Sequence, residues 1–247
     1  VKDLKNKEIA IVALGGSFSE FVLTRINSVK YDEVWGINCI GAIFHVNRSF
    51  MMDPASRFLD DTKAGKQTNI AREFLLEVKN KGPIYSCCKD VRVPEIIEYP
   101  LEDVINSVKV AYFNNTVAYA IAFAIYTKVK KINLFGIDFS YKQNLHFAEA
   151  GRACVEFWCA VAIQKGILIE VASTSPLLDC NVPDNEKLYG YHRLDNPLIQ
   201  SIVDGKIHIS KDKPMSPPEP TDIDPVLIGR HDIPNVTYIE EAKNDKR

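Results

Sequence analysis

Apolar residues fall along this chain in short unbroken runs separated by longer stretches of helical spacing. Ile9, Ala10, Ile11, Val12, Ala13 and Leu14 form the first run, which stops at Gly15-Gly16-Ser17. A strand apolar at every position suits a sheet buried on both faces. Phe18, Phe21, Val22 and Ile26 then recur near helical spacing and predict a helix over 18–28. Val34-Trp35-Gly36-Ile37-Asn38 is a second short strand, so 9–38 has the length of a βαβ crossover.

The alternation continues. Phe50-Met51-Met52-Asp53-Pro54 predicts a third strand, stopped by the proline. Thr68 can cap a helix over 68–79, with Ile70, Phe74, Leu75 and Val78 on one face. A fourth strand is expected over 83–88, whereas 95–108 is ambiguous because Pro100 interrupts it. Residues 115–129 read as a nearly all-buried helix, 132–138 as a fifth strand, 148–165 as a long helix closed by Gly166, and 167–172 as a last strand. Strands that alternate with helices and are apolar throughout predict an α/β fold. It is a Rossmann-like doubly wound, mainly parallel sheet with helices on both faces.

From Asp179 onward the character changes. Pro183, Pro197, Pro214, Pro217, Pro218, Pro220, Pro225 and Pro234 break any long element. The expected organisation is a nucleotide-binding domain over 1–180 and an irregular Pro-rich extension over 181–247. Such an extension can wrap the domain, swap onto a partner to make a homo-oligomer, or hang free.

Composition narrows the partners. A formal net charge of -2 over 247 residues advertises neither nucleic acid nor an anionic membrane surface. No apolar run is long enough to cross a bilayer, and 1–8 lacks the apolar core of a signal peptide. Six cysteines lie at 39, 87, 88, 154, 159 and 180 without C-x-x-C spacing. They point to a reduced, cytoplasmic chain with buried thiols.

Candidate chemistry gathers at predicted strand ends, where open α/β sheets bind ligands. Gly15-Gly16-Ser17 lets backbone approach a phosphate in front of a helix N-terminus, or serves only as a tight turn. It is not the G-x-G-x-x-G fingerprint of dinucleotide binders. Ala64-Gly65-Lys66-Gln67-Thr68 lacks the upstream glycine of a P-loop and reads as a polar loop. Asn38 and Asp53 can hydrogen-bond a nucleotide or simply cap local turns. Asn115 and Thr116 open a helix and can combine capping with amides aimed at phosphate. Asp138 either binds ligand or anchors its loop through backbone amides. His146, expected in a polar loop before a helix, can act as a general base or stand solvated. No zinc-type spacing is present.

The block from Thr116 through Lys131-Ile132-Asn133-Leu134-Phe135-Gly136-Ile137-Asp138-Phe139 resembles the central block of the bacterial single-domain sialyltransferases. There a Ser/Thr-led, alanine-rich helix runs into a strand ending Gly-Ile-Asp-Phe. The order of the Gly/Ser turn, the asparagine after the second strand, the Asp53-Pro54 pair, a histidine and Ser175-Pro176-Leu177-Leu178 is also similar. A broader Rossmann-like group that includes 6-hydroxymethylpterin diphosphokinase-like proteins shares the Gly-x-Asp strand and following histidine. The likeness covers about 8–180. It implies that Asn38, Asp53 and Thr116 touch the nucleotide of an activated sugar, that His146 deprotonates an acceptor hydroxyl, and that Tyr141 steadies the leaving phosphate. The chain departs from the family at Asp53, where the family has asparagine, and at Phe113, where it has arginine. Six residues, from Ser140 to Leu145, stand where the family has a long lid.

Three functions follow as expectations. The first is a transferase that uses a nucleotide or nucleotide-activated sugar, with catalytic candidates His146, Asp138 and Tyr141. The second is a Mg²⁺-dependent pyrophosphokinase whose metal would be held by Asp53 and Asp138. The third is a non-catalytic nucleotide-binding or assembly protein.

Overall fold

The structure, a computed structural model, describes residues 4–61, 63, 68–77, 82–140, 144–187, 199–203 and 206–210; residues 185–186 and the last two stretches are described by backbone alone. The chain divides into two compact units, 1–187 and 188–247.

The first unit opens with β1 (Glu8–Val12), α1 (Phe18–Ile26) and β2 (Glu33–Ile37), followed by a 3-10 turn at Asn38–Ala42. Next come β3 (Arg48–Phe50), α2 (Ala55–Leu59), α3 (Thr68–Leu76), β4 (Ile84–Ser86), β5 (Ile96–Glu98) and α4 (Leu101–Val108). The central helix α5 (Thr116–Tyr126), β6 (Lys131–Phe135), α6 (Leu145–Gln164) and β7 (Leu168–Val171) complete the sheet region. The strand order is β5-β4-β3-β2-β1-β6-β7, and every neighbouring pair is parallel. The α/β, helix-on-both-faces fold expected from the apolar runs is what forms.

Strand faces alternate, which distributes the core into two layers. Ile9, Ile11, Trp35, Ile37, Phe50, Tyr85, Ile132 and Leu134 point to one face, beneath α4, α5 and α6. Ala10, Val12, Val34 and Phe135 point to the other, where Phe21 of α1 packs. Over β4 the same second face is covered by Phe74 and Leu75 of α3. Eight of the eleven residues of α5 are buried, which explains why its sequence is apolar all round rather than amphipathic. Trp35, Phe50, Tyr85 and Phe123 form its aromatic floor, with ring centroids 4.7 to 5.7 Å apart.

One ion pair is buried in this layer. Arg48 donates to Glu33 through Nε (2.7 Å) and Nη2 (3.1 Å), and its Nη1 donates to the Tyr85 hydroxyl (3.0 Å). Trp35 Nε1 donates to the same Glu33 carboxylate at 2.8 Å. The network ties the amino ends of β2 and β3 together beneath the sheet's binding edge.

Several boundaries differ from expectation for local reasons. The ambiguous 95–108 stretch resolves into β5 and α4, with Pro100 as the N-cap residue between them. Strand β3 ends at Phe50, so Asp53 lies three residues beyond it, and Pro54 caps the short α2. Strand β6 ends at Phe135 because Gly136 adopts φ +68°. Helix α6 begins at Leu145, since Asn144 caps it by accepting from Phe147 N at 3.1 Å. His146 is therefore the second residue of a helix and not part of a loop.

In the second unit, β8 (Ile199–Val203) and β9 (Lys206–Ser210) pair as an antiparallel hairpin. Residues 64–67, Tyr141 and the proline-rich stretch from 211 onward lie outside the described residues. No helix among the described residues is long and apolar enough to cross a membrane.

Candidate functional site

The chain walks outward from β1 to β5 and then returns to place β6 on the other side of β1. That reversal is a topological switch point, and a crevice forms outside the carboxyl ends of the strands there. Register makes the two ends level, with Val12 opposite Phe135. The crevice has a volume of about 900 Å³ and is walled by the loops after β1, β2, β3 and β6 and by the start of α5. Gly15, Gly16, Asn38, Asp53, Asn115, Thr116 and Asp138 all line it. The sequence thus identified most of one wall set, although these residues are spread over more than a hundred positions.

The β1 turn is held from behind. Asp138 is buried, and its carboxylate accepts from Ser17 N at 2.7 Å and from Ser17 Oγ. Ser17 Oγ in turn accepts from Gly136 N at 2.9 Å. Gly15 N donates to Gly136 O at 2.7 Å. A Cβ at Gly15 would lie 2.5 Å from an Asp138 oxygen and 2.6 Å from Gly136 O, so this turn is closed to any other residue without movement. A Cβ at Gly136 would lie 2.1 Å from Ala13 O. Asp138 therefore anchors the Gly15 turn while it also lines the crevice.

This arrangement changes where an anion can sit. The leading amides of α1 already have acceptors: Ser17 N bonds Asp138, Phe18 N bonds Gly15 O (3.0 Å), and Glu20 N bonds Ser17 O (3.1 Å). A carboxylate also stands directly behind the turn, which opposes a phosphate there. Helix α5 is different. Asn115 caps it by accepting from Ala118 N at 3.0 Å, while Thr116 N and Val117 N find no acceptor among the described residues. Both residues face the crevice, at the positive end of an 11-residue helix.

Asn115 has a second task. Its Nδ2 donates to Gly151 O (3.2 Å) and to Asn114 Oδ1 (2.7 Å), and Asn114 Nδ2 donates to Ala150 O (2.9 Å). The pair fastens the start of α5 to α6. A Cβ at Gly151 would meet the Phe139 ring at 2.6 Å, so α6 comes close enough to make Phe139 part of the wall.

Arg57 was not anticipated. It projects from α2, lines the crevice and pairs with Asp53 one helical turn earlier. It is the one cationic side chain in the lining among the described residues. Asp53 is thus tied to a cation, while its carbonyl accepts from Ser86 Oγ at 3.1 Å. Asn38 stands exposed at φ +54°, a left-handed conformation that asparagine tolerates, and its amide is open to the crevice.

His146 is exposed and does not line the crevice, although its neighbour Phe147 does. Phe113 is stacked between Tyr119 and Trp158 at centroid distances of 4.5 and 4.9 Å, so it packs rather than binds. Ser175 of the Ser-Pro-Leu-Leu segment is buried and donates to Ile137 O at 2.9 Å, bracing the loop after β6.

The donor set does not fit a divalent cation. Both Asp138 oxygens engage Ser17, Asp53 engages Arg57, and no three His, Cys, Asp or Glu residues converge among the described residues. A smaller cleft of about 440 Å³ lies between α1 and the β6–β7 edge. It holds the Lys131 ion pairs to Glu8 (3.1 Å) and Glu170 (2.5 Å) and none of the predicted site residues.

Fold and site together define a doubly wound α/β protein with a polar ligand crevice at its switch point. No family model and no curated protein sequence matches the chain. Among solved structures it is similar to the sialyltransferase CstII from Campylobacter jejuni in complex with the substrate analogue CMP-3FNeuAc. The identity is 19%, over 69% of this chain and 82% of that one, with a TM-score of 0.43. The same enzyme in complex with cytidine-5'-monophosphate gives 17% identity over 70% and 83%, with a TM-score of 0.40. At this level of similarity no residue of this chain is placed on a particular residue of theirs.

Proposed function

We propose that this chain is a transferase that takes a nucleotide or nucleotide-activated sugar as donor in the switch-point crevice. The observation that carries the reading is that the open N-terminus of α5 and Arg57 share one crevice. A donor phosphate is held by the Thr116 and Val117 amides and by the Arg57 guanidinium. The nucleoside lies toward β1 and β2, where Gly15 and Gly16 offer bare backbone and Asn38 offers both donor and acceptor. Asp138 and Asn115 are positioning residues, and Asp53 holds Arg57.

His146 is the one histidine on a helix that lines the crevice among the described residues. As general base it takes the proton of an acceptor hydroxyl. The acceptor oxygen then bonds the transferred group as the bond to the donor phosphate breaks, and the phosphate leaves into the α5–Arg57 pocket. Tyr141 is the candidate to steady that leaving group.

A thermal-shift panel of nucleotides and nucleotide sugars tests the reading. A cognate ligand at about a hundred times its Kd adds roughly 2.7 kcal/mol of stability. With the responding donor, His146→Ala should abolish transfer and leave the thermal shift in place. A flat panel overturns the donor assignment, and undiminished transfer by the His146 variant overturns the base.

A further inference from the structure

We infer that Cys87 and Cys88 form a two-thiol binding site for a soft, thiophilic centre, of which a monosubstituted trivalent arsenical is the type. The residues follow β4 directly and lie outside the crevice lining. Successive side chains in a strand point to opposite faces, but the strand stops at Ser86 and the chain bends at both cysteines. Both thiols are exposed, with sulfurs 3.8 Å apart. One centre bonded to both sulfurs needs them at close to this separation, so the pair can chelate with only a small inward shift of the thiols.

The kind of centre follows from what surrounds the pair. A structural zinc needs four protein ligands, and no third His, Cys, Asp or Glu joins these two sulfurs among the described residues. The fitting centre therefore brings its own remaining substituent. The other cysteines do not compete: Cys39, Cys154 and Cys159 are buried, and Cys180 is partly buried. Partial desolvation, reinforced by Cys88, holds the Cys87 thiol above its ordinary value. Binding is a condensation without redox change. Two As–S bonds form, two As–OH bonds break, and each thiol proton leaves in a water molecule.

Intact-mass spectrometry of the full chain with phenylarsine oxide tests the site. One arsenical should be retained per chain with loss of two titratable thiols, and it should be released by a small dithiol but not by a monothiol at equal thiol concentration. Cys87→Ser and Cys88→Ser should each weaken retention by about 100-fold or more, because the second bond is intramolecular. Cys180→Ser should retain it unchanged. Retention that survives either Cys87→Ser or Cys88→Ser, or that consumes one thiol, overturns the proposal.

Discussion

Asp138 and Ser17, 121 residues apart, lock the first βα turn to the loop after β6, because one carboxylate accepts from both the amide and the hydroxyl of a single serine. The lock sets the shape of the crevice floor. Asp138→Asn should cost about 1.5 to 3 kcal/mol in denaturant unfolding, the range for hydrogen bonds to a charged group.

The same geometry separates the two adjacent glycines. Gly15→Ala drives a methyl group into the Asp138 carboxylate and Gly136 O and should cost about 1 to 3 kcal/mol. A Cβ at Gly16 meets only an Asp138 oxygen at 3.6 Å, an ordinary contact. Gly16→Ala should therefore stay within about 0.5 kcal/mol of the parent. Equal losses at the two positions would contradict the lock.

The buried Glu33–Arg48 pair predicts asymmetry between single and double replacement. Its side chains are 11% and 10% exposed. Glu33→Gln leaves the guanidinium buried without its counter-charge and should cost about 3 to 5 kcal/mol. Replacing both partners with apolar residues of similar volume should recover most of that loss in the same unfolding experiment.

What the sequence revealed followed chain-local patterns. The run from Ile9 to Leu14, the all-apolar α5 and the Gly15 turn are readable because burial on both faces leaves no polar position. Strand β4 falls within the strand expected over 83–88, whereas the three-residue β5 carries too few alternations to show a period. The start of α6 was missed because Leu145 and Phe147 are exposed and give no inward face to count from. Asp138 could be placed near a loop, but its partner is set by strand order, which no local pattern encodes. Arg57 looks like any arginine on a short exposed helix until β3 and α5 bring it to the crevice. In the second unit the pairing of β8 with β9 was not read, because the surrounding prolines gave the whole stretch a loop-like character.

Glu20 links α1 to the segment after β7 and makes part of the stability pH-dependent. Burial pushes its carboxyl up. Hydrogen bonds from Thr174 and Ser173 together outweigh that and hold it below its ordinary value of 4.5. A carboxyl depressed in the folded state contributes stability that is fully present above the unfolded value and is lost as pH falls through the folded one. Glu20→Gln should therefore flatten the acid limb of the stability curve below about pH 4.5 and reduce stability at pH 7. An unchanged acid limb would show that the contact carries no linkage.

Asp53 and Arg57 offer the sharpest test of the crevice. Their half-exposed pair contributes little to folding, so both residues can be replaced without losing the domain. If Arg57 faces the donor phosphate, Arg57→Met should weaken a phosphate-bearing ligand by about 10- to 100-fold, and should leave the affinity of the bare nucleoside unchanged. Asp53→Asn separates its two readings. An aspartate that binds ribose loses a charged acceptor on substitution, and affinity falls for nucleotide and nucleoside alike. An aspartate that only restrains Arg57 releases the guanidinium and removes a like charge from the phosphate, so nucleotide affinity rises while nucleoside affinity stays fixed. The arrangement of one cation, its tether and two open α5 amides favours the second outcome, and calorimetric titration of the two variants with a nucleotide and its nucleoside decides between them.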